Sequence, residues 1–259
     1  MKLVCWNLAI KKNNTREVID FLVQQDADII CLQEVADHKE DTANEMFKIK
    51  IGLDNAIAVK YPYRYFSPLW QAKGFTALDF GGFIEQGNYI LSKFPLSNTE
   101  NLFFHKKYEK ISDWNTVKFH TEDHARALQV VEIQTDDRTF RLMNFHGIWT
   151  RDKMGDKRTI DEINFIMKKV QSKKMPTIVA GDFNLLPEAE SIGIINAKMR
   201  NLILEGSHHT TRPDFKDNLE TGKNIVDYIF VEDNIKVGNF DVLFTEISDH
   251  YPLIMEFEV

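Results

Sequence analysis

Short apolar runs that end on polar residues recur along this chain and constrain its fold more than any other feature. Trp6-Asn7, Leu32-Gln33-Glu34, Asn144-Phe145-His146 and Gly181-Asp182-Phe183-Asn184 each close such a run, and Ser248-Asp249-His250 stands nine residues from the C-terminus. An α/β fold gathers the polar ends of its strands into one crevice. The gathered set is Glu34, Asp182, Asp249, Asn7, Asn184, His146 and His250. Carboxylates, carboxamides and imidazoles in that mixture suit a hard metal ion and a phosphate ester.

The pattern between these runs sets the architecture. Residues 2–8 read as a strand. Asn14 with Glu17 resembles a capping box, and Val18, Ile19, Leu22 and Val23 make a helical apolar stripe. Asp28 turns the chain into Ile29-Ile30-Cys31-Leu32, a buried strand with Glu34 at its far end. Strand, helix and strand with a short return form a crossover unit. Residues 62–70, 82–93, 96–104, 125–134 and 139–147 read as strands, punctuated at Pro62, Gly81-Gly82, Pro95 and Asp136-Asp137. Residues 105–124 are charged and irregular, as expected of a loop at the rim of a site. A helix is expected over about 155–173, with Ile160, Ile163, Met167 and Val170 on one face and Lys168, Lys169, Lys173 and Lys174 near its C-terminal end. Thr177–Ala180, 225–231, 236–244 and 253–258 complete the strands. So many strands with few helices fit two packed sheets flanked by helices, in one domain over 1–259.

Composition narrows the classes. The 259 residues suffice for one large core. No run approaches the roughly 18 apolar residues of a membrane span. The N-terminus is too short and turns polar too soon for a signal peptide, so a cytoplasmic home is expected. Cys5 and Cys31 fall in core strands and read as reduced thiols. A net charge of −7, from 32 basic and 39 acidic residues, argues against a broad basic surface for long nucleic acid. It leaves room for one local phosphate site served by a bound cation. No obligate protein partner is evident.

Trp6-Asn7, Leu32-Gln33-Glu34, Asn144-Phe145-His146, Gly181-Asp182-Phe183-Asn184, Val226-Asp227-Tyr228 and Ser248-Asp249-His250 together resemble the ordered motifs of the endonuclease/exonuclease/phosphatase superfamily, from residue 4 to residue 254. Any one is common; six in order are specific. The resemblance implies a four-layer α/β sandwich of the deoxyribonuclease I type, with two packed mixed β-sheets flanked by helices. It implies a Mg²⁺ (or Mn²⁺) cofactor held mainly by Glu34, with Asn7 orienting the metal shell or a phosphate oxygen and Asp249 touching a metal or holding its loop. By the same resemblance Asp182 orients and deprotonates the attacking water, and Asn184 binds a phosphoryl oxygen. His250, matched by Asp227, carries positive charge toward the transition state. His146 serves as a leaving-group acid or phosphate donor. Arg126 and Asn88 are expected to reach substrate phosphate, Arg126 through its bidentate guanidinium.

Two departures bear on the substrate. Leu8-Ala9 follows Asn7, where relatives often carry a second acidic residue or Asn. Asn224-Ile225-Val226-Asp227-Tyr228 lacks the basic residue that abasic-site enzymes place two before the Asp. The resemblance implies hydrolysis of a phosphodiester, with nucleic acid as the expected substrate and a nuclease, endo- or exo-acting, as the expected enzyme. The alternative is a phosphomonoesterase or lipid-head-group phosphodiesterase of the inositol phosphatase or sphingomyelinase type. A third reading is an inactive binding module, which the intact Glu34, Asp182, Asn184, Asp249 and His250 oppose. Trp70, Phe75, Phe80, Phe83, Trp114 and Trp149 are candidate pocket walls, though core positions suit most of them. Adjacent side chains on extended chain point apart, so His208-His209 read as a loop pair rather than a zinc site.

Overall fold

The computed structural model describes residues 1–9, 15–75, 78–111, 124–208, 210–212 and 224–259, with the side chains of residues 75 and 78 outside that description. Trp114, His209, Asn14 of the expected capping box and the side chain of Phe75 lie outside the described residues. In chain order the elements are β1 (Lys2–Asn7), α1 (Thr15–Gln25), β2 (Ile29–His38), α2 (Ile49–Ile57), β3 (Tyr63–Phe75), β4 (Leu78–Ser92), β5 (Leu96–His105), β6 (Glu109–Ile111) and β7 (Arg126–Gln134). Then come β8 (Thr139–His146), α3 (Lys157–Gln171), β9 (Thr177–Asp182), α4 (Glu190–Asn196), β10 (Arg200–Asn201), α5 (Leu202–Glu205), β11 (Asp227–Val231), β12 (Lys236–Val242) and β13 (Leu253–Glu258).

Two mixed sheets pack together. The first runs β12-β13-β1-β2-β4-β3-β6 and the second β10-β11-β9-β8-β7-β5. Alternation along each strand divides the apolar residues between two faces. On β1 and β2, Leu3, Cys5, Ile29 and Cys31 join the core shared with the second sheet. Val4, Trp6, Ile30 and Leu32 point the other way, onto Val18 and Leu22 of α1 and Leu53 and Ile57 of α2. On the far side α3 buries Ile163, Ile166, Met167 and Val170. The result is the four-layer sandwich, helices outside and sheets within.

Each sheet holds a parallel pair joined through a helix, and the first also pairs β3 with β6 in parallel. β1 and β2 are parallel in the first, joined through α1. β8 and β9 are parallel in the second, joined through α3. Asp156 caps α3, its carboxylate accepting from Arg158 N while Thr159 returns a bond to the cap backbone. Such a reciprocal cap fixes where the helix starts.

Three expectations need correction. β2 does not stop near Glu34 but continues to His38 through a bulge. Part of the stretch expected as loop, Glu109–Ile111, is a strand paired with Trp70–Ala72. Gly81-Gly82 do not precede β4 but lie inside it. Trp70 and Phe80 are core residues, 3% and 0% exposed. Cys5 and Cys31 are buried free thiols. Among the described residues no helix is long and apolar enough to cross a membrane.

Candidate active site

The second sheet presents its polar residues by register alone. His146 pairs with Asp182 across β8 and β9, and Asp182 pairs with Asp227 across β9 and β11. Three side chains with chemistry therefore stand side by side at one end of the sheet. The close approach behind them demands a glycine. Gly181 has φ +150, and a Cβ there would lie 1.9 Å from the Phe145 carbonyl oxygen. Beyond β9 the chain turns at once, because Asn184 adopts left-handed backbone at φ 56, a conformation Asn tolerates. Asn184 N donates to Asp182 Oδ1 at 2.8 Å, an Asx-type turn that pins both residues.

The first sheet delivers Glu34 by distortion. Leu32 pairs with Tyr89 and Val35 with Gly87, so Gln33 and Glu34 together oppose Asn88. Two residues against one is a bulge, which re-aims a side chain. Glu34 itself sits at φ 56, costly for a residue with a Cβ. Under the bulge runs a buried amide relay. Gln33 Nε2 donates to Asn144 Oδ1 at 2.6 Å. Asn144 Nδ2 donates to Gln129 Oε1 at 2.9 Å and to the Leu32 carbonyl at 3.0 Å. Gln129 Nε2 then donates to the Tyr65 carbonyl at 2.7 Å. Asn88 is fully buried on the same face of β4 as Ile90, which joins the core between the sheets. Neither of its amide atoms has a hydrogen-bond partner among the described residues. A buried amide left unpaired costs about 1–3 kcal/mol.

The loop between β12 and β13 closes the site. Trp6 Nε1 donates to the His250 carbonyl at 2.9 Å, and Ser248 Oγ to the Asn7 carbonyl at 2.7 Å. His250 Nδ1 lies 3.0 and 2.9 Å from the two oxygens of Asp227. Its Nε2 faces Asp182 Oδ2 and Asp249 Oδ1, each at 3.8 Å. His146 Nε2 lies 3.7 Å from Asp182 Oδ2 and 3.9 Å from Glu34 Oε1. Asn7 Nδ2 donates to Asp182 Oδ2 at 2.9 Å, while its Oδ1 accepts from Ala9 N. Asn7 thus turns its donor end to Asp182 and its oxygen to the backbone of Ala9. Asp249 Oδ2 accepts from Arg212 at 2.7 Å.

Burial would raise the Asp182 carboxyl, but the positive charge of His250, Lys153 and Arg212 holds it at about 2. Burial would push the His250 imidazole down, yet Asp227 and Asp182 outweigh that and hold it up at about 9. His146 goes the other way: burial, then the nearby Arg126 guanidinium, keep it well below the usual imidazole range. The two histidines are therefore in different states at neutral pH, one cationic and one neutral. Burial also pushes the Arg126 guanidinium down, against Glu34, Asp182 and Glu162; an arginine nonetheless stays charged.

These residues fit a hard divalent cation. Glu34, with its side chain 23% exposed, is a carboxylate on the cleft wall beside Asp182, and oxygen donors of that kind suit Mg²⁺ or Mn²⁺. Ligand atoms of Asp182, Asp227 and His250 also lie within 4.8 Å of one another. There His250 Nδ1 is already held by Asp227, which makes that group an oriented imidazole first.

Sequence reasoning missed two cations and the relay. Lys153 is fully buried, its Nζ 2.7 Å from Asn184 Oδ1 and 4.7 Å from the centre of the Trp149 ring. Arg212 binds Asp249. Both stand in charged loop sequence, which gives no sign that a side chain turns inward. Gln33, Asn144 and Gln129 alternate with apolar neighbours on the inner faces of their strands, and three polar residues at core positions were the available signal.

An endonuclease/exonuclease/phosphatase from Beutenbergia cavernae superposes with a TM-score of 0.79 at 13% identity, covering 100% of this chain and 71% of the other. A protein of the same family from Leptotrichia buccalis gives 0.71 at 20% identity, with 100% of both chains covered. A mannosyl-6-phosphatase from Bacteroides thetaiotaomicron gives 0.66 at 16% identity, again over 100% of both. At these identities the likeness is one of fold. No curated protein matches the sequence. The model of the Endonuclease/Exonuclease/phosphatase family matches residues 4–250, so the chain belongs to that family of divalent-metal-dependent phosphoesterases.

Proposed function

We propose that this protein is a Mg²⁺- or Mn²⁺-dependent phosphodiesterase of the nuclease type, acting at the cleft between the two sheet ends. The observation that carries the reading is Asp182. It is buried, ionised and held by Asn7, with two imidazoles facing one of its oxygens. A carboxylate so placed orients a water for in-line attack on phosphorus. As the new P–O bond forms and the ester P–O bond breaks, Asp182 takes the water's proton. The leaving oxygen takes a proton from the His250 imidazolium, which Asp182 restores across 3.8 Å. Asp227 keeps His250 oriented and favours its charged form before the transfer and after its proton is restored. Neutral His146, Asn184, Asn88 and the Arg126 guanidinium supply donors to the phosphoryl oxygens. A cation bound at Glu34 would add Lewis-acid stabilisation of the charge that develops on phosphate.

A phosphomonoesterase is the second reading, and one observation favours it. Arg126, Lys153 and Arg212 all act electrostatically on Asp182, and a monoester dianion would draw on such cations more than a diester monoanion does; a mannosyl-6-phosphatase shares the fold.

The test is Mg²⁺-dependent hydrolysis by wild type and Asp182→Ala. The panel holds single- and double-stranded DNA, an abasic duplex, RNA, a 5′-tyrosyl oligonucleotide, bis-p-nitrophenyl phosphate, sugar and inositol phosphates and sphingomyelin. Nucleic-acid turnover that is lost in the variant supports the first reading. Turnover of sugar or inositol monoesters alone moves the protein to the second. Turnover retained by Asp182→Ala rejects the site for both.

A further inference from the structure

Asn184 serves the proposed reaction only in one orientation. A phosphoryl oxygen accepts hydrogen bonds and never donates them, so the carboxamide must show its NH₂ end to the substrate and hide its oxygen. An isolated carboxamide has little preference between its two flips; its neighbours decide. In this chain the decision falls to one residue of the loop between β8 and α3.

Lys153 Nζ donates to Asn184 Oδ1 at 2.7 Å. An ammonium has three donors and no acceptor, so while Lys153 is protonated only the oxygen of the amide can face it. Asn184 Nδ2 donates to the Gly147 carbonyl at 3.3 Å, which engages one amide hydrogen and leaves the second. The lysine is itself fixed. Its backbone N donates to the Thr150 carbonyl and its carbonyl accepts from Leu186 N at 2.8 Å, so the 147–156 loop is stitched to the chain beyond Asn184. Its ammonium lies over the half-buried Trp149 ring, a contact that favours a cation. At 0% exposure the lysine is shut off from solvent. Burying an ammonium is costly, and burial, against Asp182, holds this one down at about 7. A surface loop has no structural need for such a group.

We propose that Lys153 is a positioning residue that locks the Asn184 carboxamide with its NH₂ end toward the substrate phosphoryl group. The proposal rests on the phosphoesterase reading above. It predicts that Lys153 matters to turnover only through Asn184, and a double-mutant cycle isolates that term.

Kinetics of bis-p-nitrophenyl phosphate hydrolysis with Mg²⁺ would be measured for wild type, Lys153→Met, Asn184→Ala and the double variant, with inhibition by inorganic phosphate as a second readout. Lys153→Met should lower kcat by about 10- to 100-fold, the size of effect expected when a supporting partner of a site residue is lost. Its unfolding midpoint should not fall, since a buried charge is removed. In the Asn184→Ala background the same change should cost less than about 3-fold. Lys153→Arg, still donor-only, should recover part of the rate, and Lys153→Gln, which tolerates either flip, should recover none; this pair decides the matter if the methionine variant does not fold. Additive losses in the cycle, or Lys153→Gln equal to wild type, overturn the proposal. If instead Asn184→Ala keeps wild-type kcat, the role given to Asn184 in the phosphoesterase reading has failed, and that outcome is distinct.

Discussion

The two sheets bring their residues to the cleft by different means. In the second sheet His146, Asp182 and Asp227 are neighbours in an unbroken register. In the first, Glu34 arrives through a bulge in left-handed backbone, braced by a relay of three amides. Regular pairing places groups whose mutual spacing suits the strand spacing. A group that must sit off that grid needs distortion, and distortion is stabilised only where surrounding structure overdetermines it. The comparison teaches that the second sheet should be sensitive to crowding and the first to loss of its brace.

Crowding gives the largest expected effect. Gly181→Ala places a Cβ against backbone that cannot give way, at a φ that disfavours any side chain. The expected loss is about 3 kcal/mol or more, read by urea unfolding; an unchanged midpoint would mean that the strands are looser than described. Asn144→Leu strikes the brace. It strands the buried donor of Gln33 and acceptor of Gln129, at about 2 kcal/mol. It should also raise the Mg²⁺ concentration needed for half-maximal hydrolysis, whereas a purely structural relay would leave that concentration alone.

Glu34→Gly sharpens the contrast from the other side. Glycine accepts φ 56 without strain, so the variant should gain about 1 kcal/mol of stability while losing Mg²⁺-dependent activity. A less stable variant would show that the bulge is not strained. The smallest effect is a pH slope. His250 has a folded pKa of about 9 against an ordinary 6.5. It therefore binds its proton more tightly when folded, so its contribution is complete below about 6.5 and fades as pH rises through about 9. With chelator present, wild-type stability should decline over that window, and Asp227→Asn should lose most of the decline.

Much of this was legible in the sequence, for physical reasons. The β1–α1–β2 and β8–α3–β9 units could be read because apolar periodicity switches cleanly between 2 and 3.6. The family's motifs then singled out the strand-end residues that the fold gathers. Less was legible where tertiary context decides. Ile49–Ile57 carries three Ile, a Gly and an Asn within its nine residues and has no capping side chain, so packing more than propensity forms it. Glu109–Ile111 is a strand only because Trp70–Ala72 offers an edge. Lys153 reads as an ordinary solvated lysine between Asp152 and Met154, and only the turn of its loop buries it.

The central claim is that Asp182 acts on the water and Glu34 on the cation. The most direct test is steady-state hydrolysis by wild type, Asp182→Asn and Glu34→Gln across a Mg²⁺ titration. Both variants should fall by about 1,000-fold or more at low Mg²⁺. Raised Mg²⁺ should restore Glu34→Gln in part and Asp182→Asn not at all. Equal rescue of both, or wild-type turnover in either, would contradict the division of labour between the two sheets.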